Sequence, residues 1–229
     1  MIKETFATMR ENFQRRSFAM SDFMKEIRVV PWYKIFHPFA DRKEKYLSRN
    51  DYEYLILGTF PSIASRDYGY FYGNSTNGFW EYLDEIFNLD LIEKSKEQKE
   101  EWLNEKRIAL YDIVESYEGA EWYSNDQALF GCGKEHQYSL DFVYEFLQKN
   151  KKSKVMVTSI EVKHKFRSKF VCRGVKKSER TEQNLYFEKI ESELFYLPSP
   201  SGTNRTKTKE NKIKEWREAF EKAGLTKQQ

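Results

Sequence analysis

Four short runs, "YEYLILG" (52–58), "RIALYDIV" (107–114), "KVMVTS" (154–159) and "ELFYLP" (193–198), constrain this chain more than any other feature of its sequence. Each is nearly continuous in apolar residues instead of alternating, as strands buried on both faces are. Between them lie segments of helical period. Phe79, Leu83, Ile86 and Phe87 form one buried stripe, and "SLDFVYEFLQK" reads as a helix capped by Ser139. "EVKHKFRSKF" and "KTKENKIKEWREAFEKAG" are further helices, and "EKSKEQKEEWLNEKR" is a charged, exposed one. Strand and helix in alternation predict an α/β fold: a three-layer α/β/α arrangement around a central, mainly parallel, four-stranded sheet.

With 229 residues the chain fits one domain and an extension. Phe6, Met9 and Phe13 recur at helical spacing, and Ser21 opens a second short helix with Phe23, Met24 and Ile27, so residues 1–35 read as a helical extension and 36–229 as the domain. Pro31 and Pro38 predict irregular backbone between the two. The 39 Lys and Arg against 36 Asp and Glu permit a nucleic-acid partner without requiring one. Cys132 and Cys172 lack partners at metal-ligand or disulfide-framework spacing, and no eighteen apolar residues run together. The expectation is a cytoplasmic, monomeric protein with no cofactor, no metal and no membrane contact. His37, His136 and His164 have no matching nucleophile or metal partner, which predicts structural or surface positions for them.

In open parallel sheets, ligands bind beyond the carboxyl ends of the strands. The segments there are "GTFPSIASRDYGYFYGNSTNGFW", "ESYEGAEWYSND", "TSIE" and "LPSPSGTNR". The first is dense in aromatics and glycines. That composition suits a platform for a flat ligand, with glycines where the backbone turns sharply.

Gly58, Pro61, Tyr72, Asn77, Phe79 and Trp80, with "IALYDIVES" and the late "LPSPSGTN", resemble the uracil-DNA glycosylase superfamily, closest to its mismatch-specific and hypoxanthine-excising branches. The resemblance runs from about Phe36 to Trp216. It implies base excision from DNA, in which a nucleotide swings out of the duplex and its N-glycosidic bond is hydrolysed. Tyr72 then matches the stacking aromatic, with Phe60, Thr158 and Ser159 as further base contacts. Asn77 matches the residue that positions the attacking water; without that match it reads as a helix N-cap. Asp67 is an alternative water activator, and Ser199 joins these two as a catalytic candidate. Ser62, Ser201, Gly202, Thr203, Asn204, Arg205 and Lys207 are the candidates for contact with the DNA strand and its phosphates.

Three departures from the pattern bear on substrate. Phe60 stands where mismatch-specific relatives carry Asn; Thr158-Ser159 stands where an Asn-Gly commonly reads the base edge; Gly73-Asn74-Ser75-Thr76 replaces a bulkier run. A hydroxyl cannot present the paired donor and acceptor of an amide. The substrate classes are therefore a deaminated base such as uracil or hypoxanthine, or a bulky modified pyrimidine, the latter in phage defence instead of repair. A non-catalytic DNA-binding module on the same fold is the alternative. No Gly-x-Ser-x-Gly elbow, His-x-Glu zinc pattern or phosphate-binding Gly-Lys-Ser/Thr loop supports another hydrolase class.

Overall fold

The computed structural model describes residues 33–226 except 120, 124 and 132–134, and the chain divides into two units, Met1–Tyr33 and Lys34–Gln229. The expected helices carrying Phe6, Met9, Phe13, Phe23, Met24 and Ile27 lie outside the described residues, as does Cys132. In chain order the elements are β1 (Tyr33–Phe36), α1 (Arg42–Leu47), β2 (Tyr54–Gly58), α2 (Ile63–Tyr68), α3 (Phe79–Phe87), α4 (Lys96–Glu105), β3 (Ile108–Asp112) and β4 (Val114–Gly119). They continue with α5 (Asp126–Phe130), β5 (His136–Tyr138), α6 (Leu140–Lys149), β6 (Lys154–Val157), α7 (Ile160–Lys165), α8 (Glu182–Ser192), β7 (Phe195–Tyr196) and α9 (Lys209–Ala223).

The main sheet has four strands in the order β3-β2-β6-β7, every pair parallel, as the apolar runs predict. Leu55, Ile56 and Leu57 of the central β2 are fully buried. Removing each from water contributes about 1.5–3 kcal/mol, and covering both faces of the strand is what drives helices onto the sheet. Trp216 and Phe220 of α9 are also fully buried, and Trp216 meets the Phe79 ring of α3 edge-on at 5.5 Å.

Three expectations are corrected. "RIALYDIV" is not one strand, because after Asp112 the chain crosses the end of β2, with the Ile113 N–H donating to Gly58 O at 2.9 Å and the Val114 N–H to Thr59 O at 3.1 Å. It then enters a second, three-stranded sheet, β1-β4-β5, in which β4 and β5 run antiparallel. Tyr33–Phe36, expected as irregular backbone, is strand β1. Ser139 occupies the N-cap of α6 but makes no side-chain cap, and its hydroxyl is buried without a partner. Caps do form at the helices around the strand ends: Ser62 accepts the Ser65 N–H, Ser159 the Val162 N–H and Thr208 the Asn211 N–H. Such caps contribute about 1 kcal/mol each. No helix among the described residues is long and apolar enough to cross a membrane.

Candidate active site

A cavity of about 600 Å³ opens at the carboxyl ends of β2, β3 and β6. It gathers most of the residues singled out from the sequence: Phe60, Ser62, Tyr72, Asn77, Thr158, Ser159, Ser199, Ser201, Gly202, Thr203 and Asn204 all line it. Two loops far apart in the chain meet to make this wall. The Gly78 N–H donates to Pro200 O at 2.8 Å, and Gly202 packs so closely on Thr76 that a Cβ there would sit 2.3 Å from its carbonyl oxygen. On its other side the late loop is tied to α9, where Trp216 Nε1 donates to Pro198 O at 2.8 Å and Lys212 Nζ to Asn204 O at 2.6 Å.

Tyr72 is held from several directions. Its ring stacks on Phe79 with centroids 3.9 Å apart and planes within 4°, which leaves one ring face for a ligand. Its φ of 54° lies in the left-handed region, which costs about 1–2 kcal/mol for a residue with a Cβ. Burial, reinforced by the nearby Asp112 carboxylate, holds the phenol well above its ordinary pKa, against the opposing effect of Thr158. Thr158 donates to Leu57 O at 3.2 Å.

The N-cap expected at Asn77 falls on Gly78, which has no side-chain cap; Asn77 precedes it, and its Oδ1 accepts the Phe79 N–H at 3.0 Å in an Asx-type turn that leads into α3. That bond leaves the side-chain NH₂ and the second lone pair of Oδ1 for a ligand or water in the cavity. Both roles fit one side chain. Ser199 Oγ accepts the Ser201 N–H at 3.3 Å, and the Ser201 and Thr203 hydroxyls lie 2.9 Å apart, so the late loop is braced by its own side chains.

Three candidates lie elsewhere. Asp67 does not line the cavity; it sits on α2 with 61% of its side chain exposed, and Arg66 holds its carboxylate at 2.8 Å. Arg205 and Lys207 line an adjoining polar groove with Ser75, Thr76, Lys209 and Lys212. Lys207 Nζ is already paired with Glu215 at 2.6 Å, whereas Arg205 is exposed on the groove's rim.

The cavity also holds acidic residues that the sequence did not single out. Asp112, the last residue of β3, is 5% exposed and accepts a hydrogen bond from His37 Nε2 at 3.1 Å. The Phe39 N–H donates to His37 Nδ1, which fixes the proton on Nε2 and makes that nitrogen the donor to Asp112. Gly58 is required here, because a Cβ would sit 2.1 Å from Asp112 Oδ1 and 3.0 Å from the Tyr72 hydroxyl. Asp126 enters from α5, bonded by the Ser159 hydroxyl at 3.5 Å and by Thr59. The segment carrying it is fastened to the first loop by Trp122, whose Nε1 donates to Pro61 O at 2.8 Å and whose ring meets Phe60 at 5.2 Å. A position at the end of a strand is the one signal in the sequence that pointed to Asp112. Among the described residues no group of His, Cys, Asp and Glu is arranged to hold a metal ion.

Around this one cavity the ends of a parallel sheet bring together a Gly-x-x-Pro loop, the start of an aromatic helix and a Pro-Ser turn, the three segments that carry the resemblance. No protein-family model matches the chain. It is 27% identical over 168 residues to a hypoxanthine DNA glycosylase from Methanosarcina acetivorans, an alignment that spans 73% of this chain and 90% of that protein. It shares its fold, at a TM-score of 0.54 and 23% identity, with a solution NMR structure of a protein provisionally assigned as a uracil DNA glycosylase from the same organism, covering 77% of this chain and 93% of the other. In sequence and in fold the chain is similar to the uracil-DNA glycosylase superfamily.

Proposed function

We propose that this protein is a monofunctional DNA glycosylase that receives one extruded nucleotide in the cavity and hydrolyses its N-glycosidic bond, leaving an abasic site. The observation that carries this reading is the bond from Gly78 to Pro200, which joins the two motif loops around a single cavity. Extrusion costs a few kcal/mol of stacking and pairing. The free face of Tyr72 offsets part of that by stacking on the base, worth about 1–3 kcal/mol. Positive charge develops on the sugar as the bond breaks, so an oriented water and fixed dipoles serve better than a strong base. The Asn77 amide holds that water. Ser199, Ser201 and the Gly202-Thr203-Asn204 turn engage the strand beside the extruded nucleotide, and Arg205 meets a flanking phosphate. The reading takes the protein as a monomer acting on intracellular DNA.

The base proposed is a deaminated one of the hypoxanthine or uracil type, in keeping with the relative's activity. A bulky modified pyrimidine is the second reading. The cavity volume of about 600 Å³ favours it, since sites of this size enclose drug-sized molecules. Scoring abasic sites in duplexes that carry uracil, hypoxanthine, hydroxymethylcytosine or its glucosylated form tests both. Release from the first pair alone excludes the bulky base, and with it the grounds for a role in phage defence; no release from any duplex leaves a DNA-binding module without chemistry.

Two further results are expected. Tyr72→Ala weakens binding to a duplex with the excised base by about 1–3 kcal/mol, read by fluorescence titration, because the stacking surface is lost. Arg205→Ala weakens duplex binding alike for all sequences and lowers the slope of log K against log salt by about 0.9, the signature of one lost phosphate contact.

A further inference from the structure

A polar groove of about 410 Å³ adjoins the cavity, and Thr76, Asn77, Pro200, Ser201, Gly202 and Asn204 line both. A strand whose nucleotide enters the cavity therefore reaches the groove across Ser201 and Gly202. Arg205, Lys207, Lys209 and Lys212 are the groove's cations. Lys207 is neutralised by Glu215 at 2.6 Å and Lys209 by Glu81 at 2.5 Å, while Arg205 stands exposed on the rim. Lys212, in the first turn of α9, differs from all three: it is 4% exposed, and no carboxylate among the described residues pairs with it. Its one hydrogen bond among those residues goes to Asn204 O at 2.6 Å. An ammonium has three donors, so two lack a protein acceptor.

We propose that Lys212 receives a backbone phosphate of the DNA strand in this groove, next to the extruded nucleotide. A buried charge without a counter-charge destabilises a fold, and an apolar side chain would pack there without that penalty. A phosphate oxygen supplies both things the ammonium lacks, an opposite charge and acceptors for its remaining N–H groups. The groove offers the anion a second partner. Gly202, on the edge shared with the cavity, has a backbone N–H with no acceptor among the described residues. The carbonyls of Pro198, Pro200, Ser201 and Asn204, by contrast, each accept a hydrogen bond from the protein. Four of the turn's oxygens are so engaged, which lowers its repulsion of an anion. Burial lowers the pKa of Lys212, and a phosphate beside it would oppose that shift. Lys207, which the sequence put at the phosphates, already has its counter-charge in Glu215.

The inference rests on the glycosylase reading above, and one set of measurements separates the two. Binding to a duplex with a stable abasic-site analogue is titrated against salt for the wild type, Lys212→Arg, Lys212→Gln and Lys212→Met. Lys212→Gln and Lys212→Met are expected to weaken binding about 10- to 100-fold, the size of a lost hydrogen bond to a charged group, and to lower the slope of log K against log salt by about 0.9. Lys212→Arg keeps the charge and the slope. Lys212→Gln retains a donor for Asn204 O without the charge, so wild-type affinity and slope in this variant would make Lys212 a brace of the turn and overturn the inference. The Gln and Arg variants decide the matter if Lys212→Met fails to fold. A neutral methylphosphonate is then placed at each phosphate beside the abasic site in turn. One such replacement should weaken the wild type and leave Lys212→Gln unchanged, because groups in contact are not additive. Equal losses in both proteins at every position overturn the contact. Competition by inorganic phosphate that Lys212→Gln abolishes, with no effect of any methylphosphonate, overturns it too and assigns the groove to a free phosphate. Unaltered slopes in the variants while the wild type releases a base remove Lys212 alone and leave the glycosylase reading intact. A wild type that neither binds the duplex nor releases a base overturns both.

Discussion

Asn77→Ser is expected to slow base release about 100- to 10,000-fold with the fold intact. Serine is as well suited to a helix start as asparagine, so it can still accept the Phe79 N–H that Asn77 accepts at 3.0 Å, while the NH₂ that holds water is gone. Asn77→Ala loses both the bond to the Phe79 N–H and the NH₂, and is expected to add about 1 kcal/mol of destabilisation. Single-turnover release and thermal unfolding of the two variants therefore divide the turn's hydrogen bond from chemistry. Release at the wild-type rate in the Ser variant removes Asn77 from the reaction and favours the reading of a binding module.

The second large effect is expected at Gly58. Alanine there puts a methyl group 2.1 Å from Asp112 Oδ1 and 3.0 Å from the Tyr72 hydroxyl, in a region where Leu57, Phe79 and Tyr111 are fully buried and have little room to give. Overpacking of this kind costs about 1–3 kcal/mol. It also displaces the two groups that shape the floor of the cavity, so base release should fall below detection although the protein still folds. Asp112→Ala in the same chain removes the colliding oxygen. The double variant should unfold at a higher denaturant concentration than the sum of the single changes predicts, since residues in contact are not additive. Strict additivity would mean that Asp112 can turn away from Gly58 without loss.

The four buried strands and most of the cavity wall were legible because they depend on local signals. A continuous apolar run marks a strand covered on both faces, and Gly58, Asn77 and Pro198–Ser201 stood out through the spacing that carries the resemblance, since each residue type alone has commoner structural uses. What stayed hidden depends on contacts between distant segments. β5 is only three residues long and partly buried, and it pairs with β4 across a helix that the sequence does not announce. Asp126 reaches the cavity only because that excursion folds back and Trp122 fastens it to Pro61. His37 gave no local sign of its bond to Asp112, 75 positions away in the chain. Asp67 misled for the opposite reason: its neighbours in sequence suggested a site, and the turn of α2 carries it to solvent beside Arg66.

The hydrogen bond from Gly78 to Pro200 also has a consequence for biosynthesis. Domains form from the amino terminus as the chain emerges from the ribosome. The segment bearing Pro200 is made well after the aromatic loop it meets, and it is steadied by Trp216 and Lys212, which follow it. A nascent chain thus holds the aromatic half of its pocket without a closing wall until α9 has emerged.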